Sequence, residues 1–326
     1  VVGWFRAMRK PLAILLFLLV VPFGCISRGV KVVPFLRPTA SATLDDLVAR
    51  INQWGEFQSL VLRVDLQFET VEEVEEGKGR QYHTANGRLL LQRPSSIRLN
   101  VEAPVLSAAI AEMASDGTRF QLLIHPPDYR ALILGSNRYT YRDEIATLEE
   151  DPDLKKAGPL LNIRPQHFTD AFLPPIIDQE TLAFMHEELV DEPDLRPDAD
   201  EDAEVRKSYY VASVVRRGAA SPHAQFWFDR LEGIALARQR VFDGEGHLVT
   251  DIRYLSWLPP EAAGGIPLPA RVRIERPYDD YALSVSVRAD GVIVNRELPE
   301  NAFLLEVPPE WGENVRRIDL DDDSRN

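Results

Sequence analysis

Between Leu60 and Glu69 the chain alternates strictly. Leu60, Leu62, Val64, Leu66 and Phe68 are interleaved with Val61, Arg63, Asp65, Gln67 and Glu69. Successive strand side chains point to opposite faces, so this run sends five large apolar groups to one side. A face that apolar has to be covered, which commits the chain to a sheet with something packed on it. The same period recurs at 87–92, 97–102, 120–125 and 129–134, and again at 209–216, 224–229, 234–242, 248–257, 270–275, 281–287 and 292–296. Turn signals separate several of these runs: Asn86-Gly87, Ser115-Asp116-Gly117, Pro126-Pro127-Asp128, Asp243-Gly244-Glu245-Gly246 and Ala289-Asp290-Gly291. About twelve strands joined by short turns read as an antiparallel meander.

Helical patterns are few. Thr43 caps a helix with its apolar stripe at Leu44, Leu47, Val48, Ile51 and Trp54, stopped by Gly55. Two short helices are expected at 154–161 and 164–173, the second opened by Pro165 and ended by Pro174-Pro175. Helices grouped between two runs of strands indicate an α+β fold rather than a Rossmann sheet. The economical architecture is a single large curved, mostly antiparallel sheet, a half-open β-barrel, with the helices packed on its concave side. The expected domain spans 43–318. Within it, 191–204 holds eight acids and one arginine and reads as a solvated loop. A calcium site there would need the glycine and glutamate spacing of an EF-hand, which this stretch lacks. The tail, 319–326, is acidic and expected to be loose.

The net charge of −14 gives no footprint for nucleic acid or for an anionic bilayer. The single cysteine, Cys25, excludes an intrachain disulfide and any Cys-based metal site. It ends a distinctive leader. Met8-Arg9-Lys10-Pro11 is cationic, with Met8 the expected initiator, and ten apolar residues follow from Leu12 to Val21. That is short for a spanning helix and right for a signal peptide, 1–24. Gly24-Cys25 resembles the lipobox of bacterial lipoproteins, which implies lipidation of Cys25. Ile26, in place of the aspartate that retains such proteins at the inner membrane, implies an outer-membrane destination facing the periplasm. Residues 25–42, with prolines and small polar residues, form a tether.

The order of lipobox, capped helix, long strand pair, hydrophobic loop, central helices and further strands resembles the LolA/LolB periplasmic lipoprotein carriers, specifically the LolB type. Three segments carry the likeness: Glu102-Ala103-Pro104-Val105-Leu106-Ser107, Ile163-Arg164-Pro165 through Phe172, and Ile266-Pro267-Leu268-Pro269-Ala270-Arg271. The resemblance implies a groove for acyl chains of lipid or lipoprotein, a periplasmic carrier protein as partner, and no cofactor. Leu62, Val64, Leu66, Leu99, Val101, Leu122 and Ile124 are the lining candidates, with plain core beneath the helices as the alternative for each. Val105 and Leu106 are expected to form an exposed hydrophobic tip touching membrane or cargo. Their alternative is a plug over the helix from Thr43.

Nothing points to an enzyme. The six histidines show no metal-binding spacing, and there is no G-x-S-x-G, P-loop or G-x-G-x-x-G. Two functions stay open: an outer-membrane lipoprotein that binds and helps localise lipid or lipoprotein, and a structural envelope lipoprotein that recruits protein partners.

Overall fold

A computed structural model describes residues 32–33, 39–70, 83–104, 108–139, 141–154, 160–193, 203–277, 281–312 and 315–322. Cys25 and the tip residues Val105 and Leu106 lie outside the described residues, as do 194–202 and 323–326. The chain divides into two units, 1–36 with 191–206, and 37–190 with 207–326. In the smaller, β1 (Val32–Val33) runs parallel to residues Glu204 and Val205, and Arg206 donates to Asp191 at 2.8 Å.

Among the described residues the larger unit is one mostly antiparallel sheet of fifteen strands, more than the twelve expected. Its first half is the meander β2 (Ser59–Thr70), β3 (His83–Gln92), β4 (Ser96–Glu102), β5 (Ala109–Ser115), β6 (Arg119–Ile124) and β7 (Ala131–Ser136). Its second half comprises β8 (Thr181–Pro193) and β9 (Glu204–Arg216), of which 191–193 and 204–206 count with the smaller unit, then β10 (Ala224–Asp229), β11 (Ala235–Phe242), β12 (Leu248–Trp257), β13 (Pro269–Arg276) and β14 (Tyr281–Val287). β14 pairs with β2 and joins the halves. β15 (Ile293–Val294) also lies on β2, and β16 (Arg316–Asp319) runs parallel to β7. The order runs from β9 to β16 without closing.

Three helices are described. Thr43 caps α1 (Leu44–Asn52) with a reciprocal box: its hydroxyl accepts from the Asp46 N–H, and the Asp46 carboxylate accepts from the Thr43 N–H. A tight turn at Gln53–Glu56 continues α1 and buries Trp54. α2 (Arg142–Glu149) precedes the helix expected at 154–161, where only short turns are described. α3 (Pro165–Phe172) matches the Pro-opened helix and touches β4, β5 and β13.

Register explains the core. Leu62, Leu89, Leu99, Met113, Leu122 and Ile133 are successive partners across β2 to β7, and Val64, Gly87, Val101, Ala111, Ile124 and Ala131 form the next row. Gly87 is small because a Cβ there would come within 3.0 Å of a Val64 methyl and 3.3 Å of the Asn100 carbonyl oxygen. The expected loose ends are partly structured. Asp191–Pro193 belong to β8 and Glu204 to β9. Asp319 closes β16, Leu320 is buried, and the Asp321 carboxylate accepts a short bond from the Tyr141 hydroxyl. Apolar packing and an ion pair to Arg119 hold an acidic segment that composition alone reads as tail.

Candidate functional site

The seven lining candidates do share one face, but that face is filled. Leu62, Val64, Leu66, Leu99, Val101, Leu122 and Ile124 are all at most 2% exposed and belong to one hydrophobic cluster. Phe168, Ala171 and Phe172 of α3 and Tyr141, Ile145 and Leu148 around α2 join the same cluster. As the walls of an open groove these seven are therefore corrected to core, because the helices occupy the space the alternation leaves.

Open space lies further along the sheet, on the hairpin β10–β11. An apolar cavity of about 170 Å³ is bordered by Phe226, Phe228, Ile234, Ala235 and Leu236 of that hairpin. Ile51, Trp54, Trp257, Pro174 and Pro267 complete its apolar wall, and Arg50 and Gln53 sit at its edge. It falls at the seam between two packed clusters, one containing Trp54 and the other Ile51, Phe226 and Phe228. Two backbone features aim side chains into it. A bulge shifts the β10–β11 register, so that Trp227 faces Arg238 while Phe228 faces Leu236. It turns Leu236 to the same side as Gln239. Ile234 adopts φ +63°, a left-handed conformation costly for a β-branched residue, at about 1–3 kcal/mol.

A second, polar cavity of about 690 Å³ lies at the other end of the hairpin, bordered by Ala224, Gln239, Val241 and Phe242. Thr169 and Asp170 of α3, Arg93, Arg216 and His223 supply its polar groups. Gln239 is fully buried in an otherwise apolar row, beside Phe226 and Ile252. The Tyr254 hydroxyl donates to Gln239 Oε1 at 2.9 Å, with the Ala171 carbonyl oxygen also in reach at 3.2 Å. Gln239 Nε2 is buried and has no hydrogen-bond partner. Asp170 as a residue keeps some exposure, but its carboxyl is enclosed by protein. Desolvation pushes it up to about 7, against the pull of the Arg276 guanidinium. Burial, then Arg216, hold the His223 imidazole below its usual range.

One short segment separates the cavities. Pro174 borders the apolar one, while Leu173, Pro175 and Ile176 border the polar one. Arg93 fastens it, donating to the carbonyls of Pro174, Trp54 and Phe57 at 2.8–3.2 Å. Asn52 exchanges two bonds with the Ile177 backbone, at 2.8 and 2.9 Å. Sequence reasoning missed Trp54, Leu236 and Gln239 as site residues. The alternation of 234–242 was visible, but the bulge that selects the inward residues was not.

Among the described residues no group of three or more His, Cys, Asp or Glu side chains could hold a metal, and no helix is long and apolar enough to cross a membrane. No family model and no curated protein matches the chain. It is similar to the crystal structure of a DUF1329 family protein from Desulfovibrio piger, at TM-score 0.46 and 11% identity, over 80% of this chain and 95% of that one. It is also similar to a LolA superfamily protein from Nitrosomonas europaea, at TM-score 0.42 and 13% identity, over 81% of this chain and 99% of that one.

Proposed function

We propose that the protein is an outer-membrane-anchored lipoprotein that binds an acyl chain of lipid or lipoprotein and helps localise it to the outer membrane. The apolar cavity beside Trp54, Leu236 and Trp257 carries this reading. A hydrocarbon chain needs an apolar slot free of competing polar groups, and this wall supplies one. Its volume is close to that of an engineered apolar cavity of ~150 Å³ that stays dry and binds benzene. It therefore takes the end of a chain, and a longer stretch requires the neighbouring segment at Pro174 to move.

The architecture in this reading is a half-open barrel around α3. A flat sheet would place β13 and β5, five strands apart in the order, about 24 Å from each other. The eight-residue α3 is only about 12 Å long yet touches both, so the sheet wraps it. One observation favours the second reading, a structural lipoprotein without lipid cargo: the face of Val64 and Leu99 is already filled by the protein's own helices.

Mass spectrometry separates the two. A Cys25→Ser chain, exported behind a signal peptide that needs no cysteine, is purified without detergent and extracted for lipid. Co-purifying acyl species near one per protein support the carrier reading. A lipid-free protein that takes up none from vesicles supports the structural one. The anchor itself is checked by palmitate labelling of the native chain. Label is expected on the wild type and absent from Cys25→Ser, and a labelled mutant would remove Cys25 as the attachment point.

A further inference from the structure

The two cavities lie on the same face of one hairpin, at its opposite ends. Phe228 and Leu236 are register partners at the apolar end, Ala224 and Val241 at the polar end, with Phe226 opposite Gln239 between them. Ala224 and Phe228 are four residue steps apart along the strand, about 13 Å at the usual rise. We infer that the cavities are the two ends of one amphipathic site whose polar end takes an uncharged, ester-bearing head such as a glyceryl ester. The inference rests on the acyl-chain reading above and adds the head to it.

Gln239 carries the argument. It is fully buried, its Oε1 is taken by Tyr254, its Nε2 has no acceptor, and the residue borders the polar cavity. Buried donors in native structures find acceptors, so an orphan on a residue at the cavity wall points to a ligand acceptor on that side. An ester carbonyl is such an acceptor, and it sits next to the chain that the apolar end holds. The charges around the cavity favour a neutral head. Arg93 is spent on three backbone carbonyls, and Asp178 borders the same cavity as Arg216, with Asp170, pushed up to about 7, adding part of a negative charge at neutral pH. That leaves less than one uncommitted positive charge for a phosphate. A ligand reaching both ends passes beneath Pro174 and Pro175 or lifts them, and Ile176 beside them is already 45% exposed.

The test compares heads on one chain. Monooleoylglycerol, 1-octadecene and oleoyl lysophosphatidate are titrated against an apolar fluorescent dye, N-phenyl-1-naphthylamine, bound to the full-length Cys25→Ser chain. Monooleoylglycerol should displace the dye at about tenfold lower concentration than octadecene, the value of roughly one buried hydrogen bond. Gln239→Leu should remove that advantage and leave octadecene unchanged. Gln239→Met, of similar volume, serves if the leucine variant does not fold. Equal affinity of the first two ligands in the wild type, an unchanged preference in the variant, or tightest binding of the phosphate would each overturn the inference. Failure of all three to displace the dye would instead remove the acyl-chain reading beneath it.

Discussion

Val64→Glu is expected to leave no stable folded protein at neutral pH. Val64 is 1% exposed, sits between Val287 and Gly87 on the neighbouring strands, and faces a core filled by α3. The side chains of this cluster are hydrophobic and offer the new carboxylate no ion-pair partner, and an unpaired buried carboxylate costs several kcal/mol or forces its own protonation. Domains have only about 5–15 kcal/mol of stability to lose. Arg63, the next residue, points to the opposite, exposed face, and Arg63→Glu should shift stability by less than about 1 kcal/mol. Urea unfolding followed by circular dichroism checks both. A Val64→Glu protein with the wild-type midpoint would show that this face is solvent-accessible after all, and the open-groove reading of Leu62, Val64 and Leu66 would return.

The second large effect is a pair of opposed pH dependences on α3. Asp170 titrates at about 7 in the folded protein and near 3.9 when unfolded, so between those values the folded state holds the extra proton. Its contribution to stability is therefore present at low pH and lost as pH rises toward 7. His167 is fully buried and held well below its usual range by desolvation, with Arg276 and Arg164 adding to the shift. Its contribution is present above about 6.5 and lost as pH falls, because the unfolded chain then takes up a proton that the folded one refuses. Just below 6.5 the two slopes oppose each other. Relative to wild type, Asp170→Asn should make stability rise more steeply with pH, by up to about 1.4 kcal/mol per unit between pH 4 and 7. His167→Gln should tilt it the other way below pH 6.5. Denaturation midpoints at half-unit pH intervals read both. Parallel curves for Asp170→Asn and wild type would mean that its carboxyl is not shifted.

The long strands were legible because each carries its own period. Leu60 to Phe68 alternates without a break, and its partners follow in the same register. β5 was not legible, since Ala109–Ser115 is Ala, Ile, Ala, Glu, Met, Ala, Ser, a composition with little strand preference, and pairing on both sides supplies what propensity does not. β8 alternates with charge on both faces and was hidden beside the acidic stretch. The helix cap at Thr43 and the start of α3 at Pro165 were readable from local rules alone. The site was not. It assembles Trp54 from the turn after α1, Pro174 from the chain after α3, and Leu236 from beyond a bulge. Alternation identifies which face is apolar, but not which part of that face the helices leave uncovered.

Quenching by a brominated chain tests acyl binding most directly. Trp54 and Trp257 border the apolar cavity, whereas Trp227 lies under Arg238 and Arg240, and Trp311 packs with Leu123 and Leu132. In a Trp4→Phe, Trp227→Phe, Trp311→Phe background of the Cys25→Ser chain, Trp54 and Trp257 are the tryptophans that remain, so emission comes from the cavity. Bromine quenches indole on contact, so the glyceryl ester of 9,10-dibromostearate should remove most of that emission saturably, at one ligand per protein. Excess monooleoylglycerol should restore it. Undiminished Trp54 and Trp257 emission at saturating ligand would contradict the cavity as the acyl site.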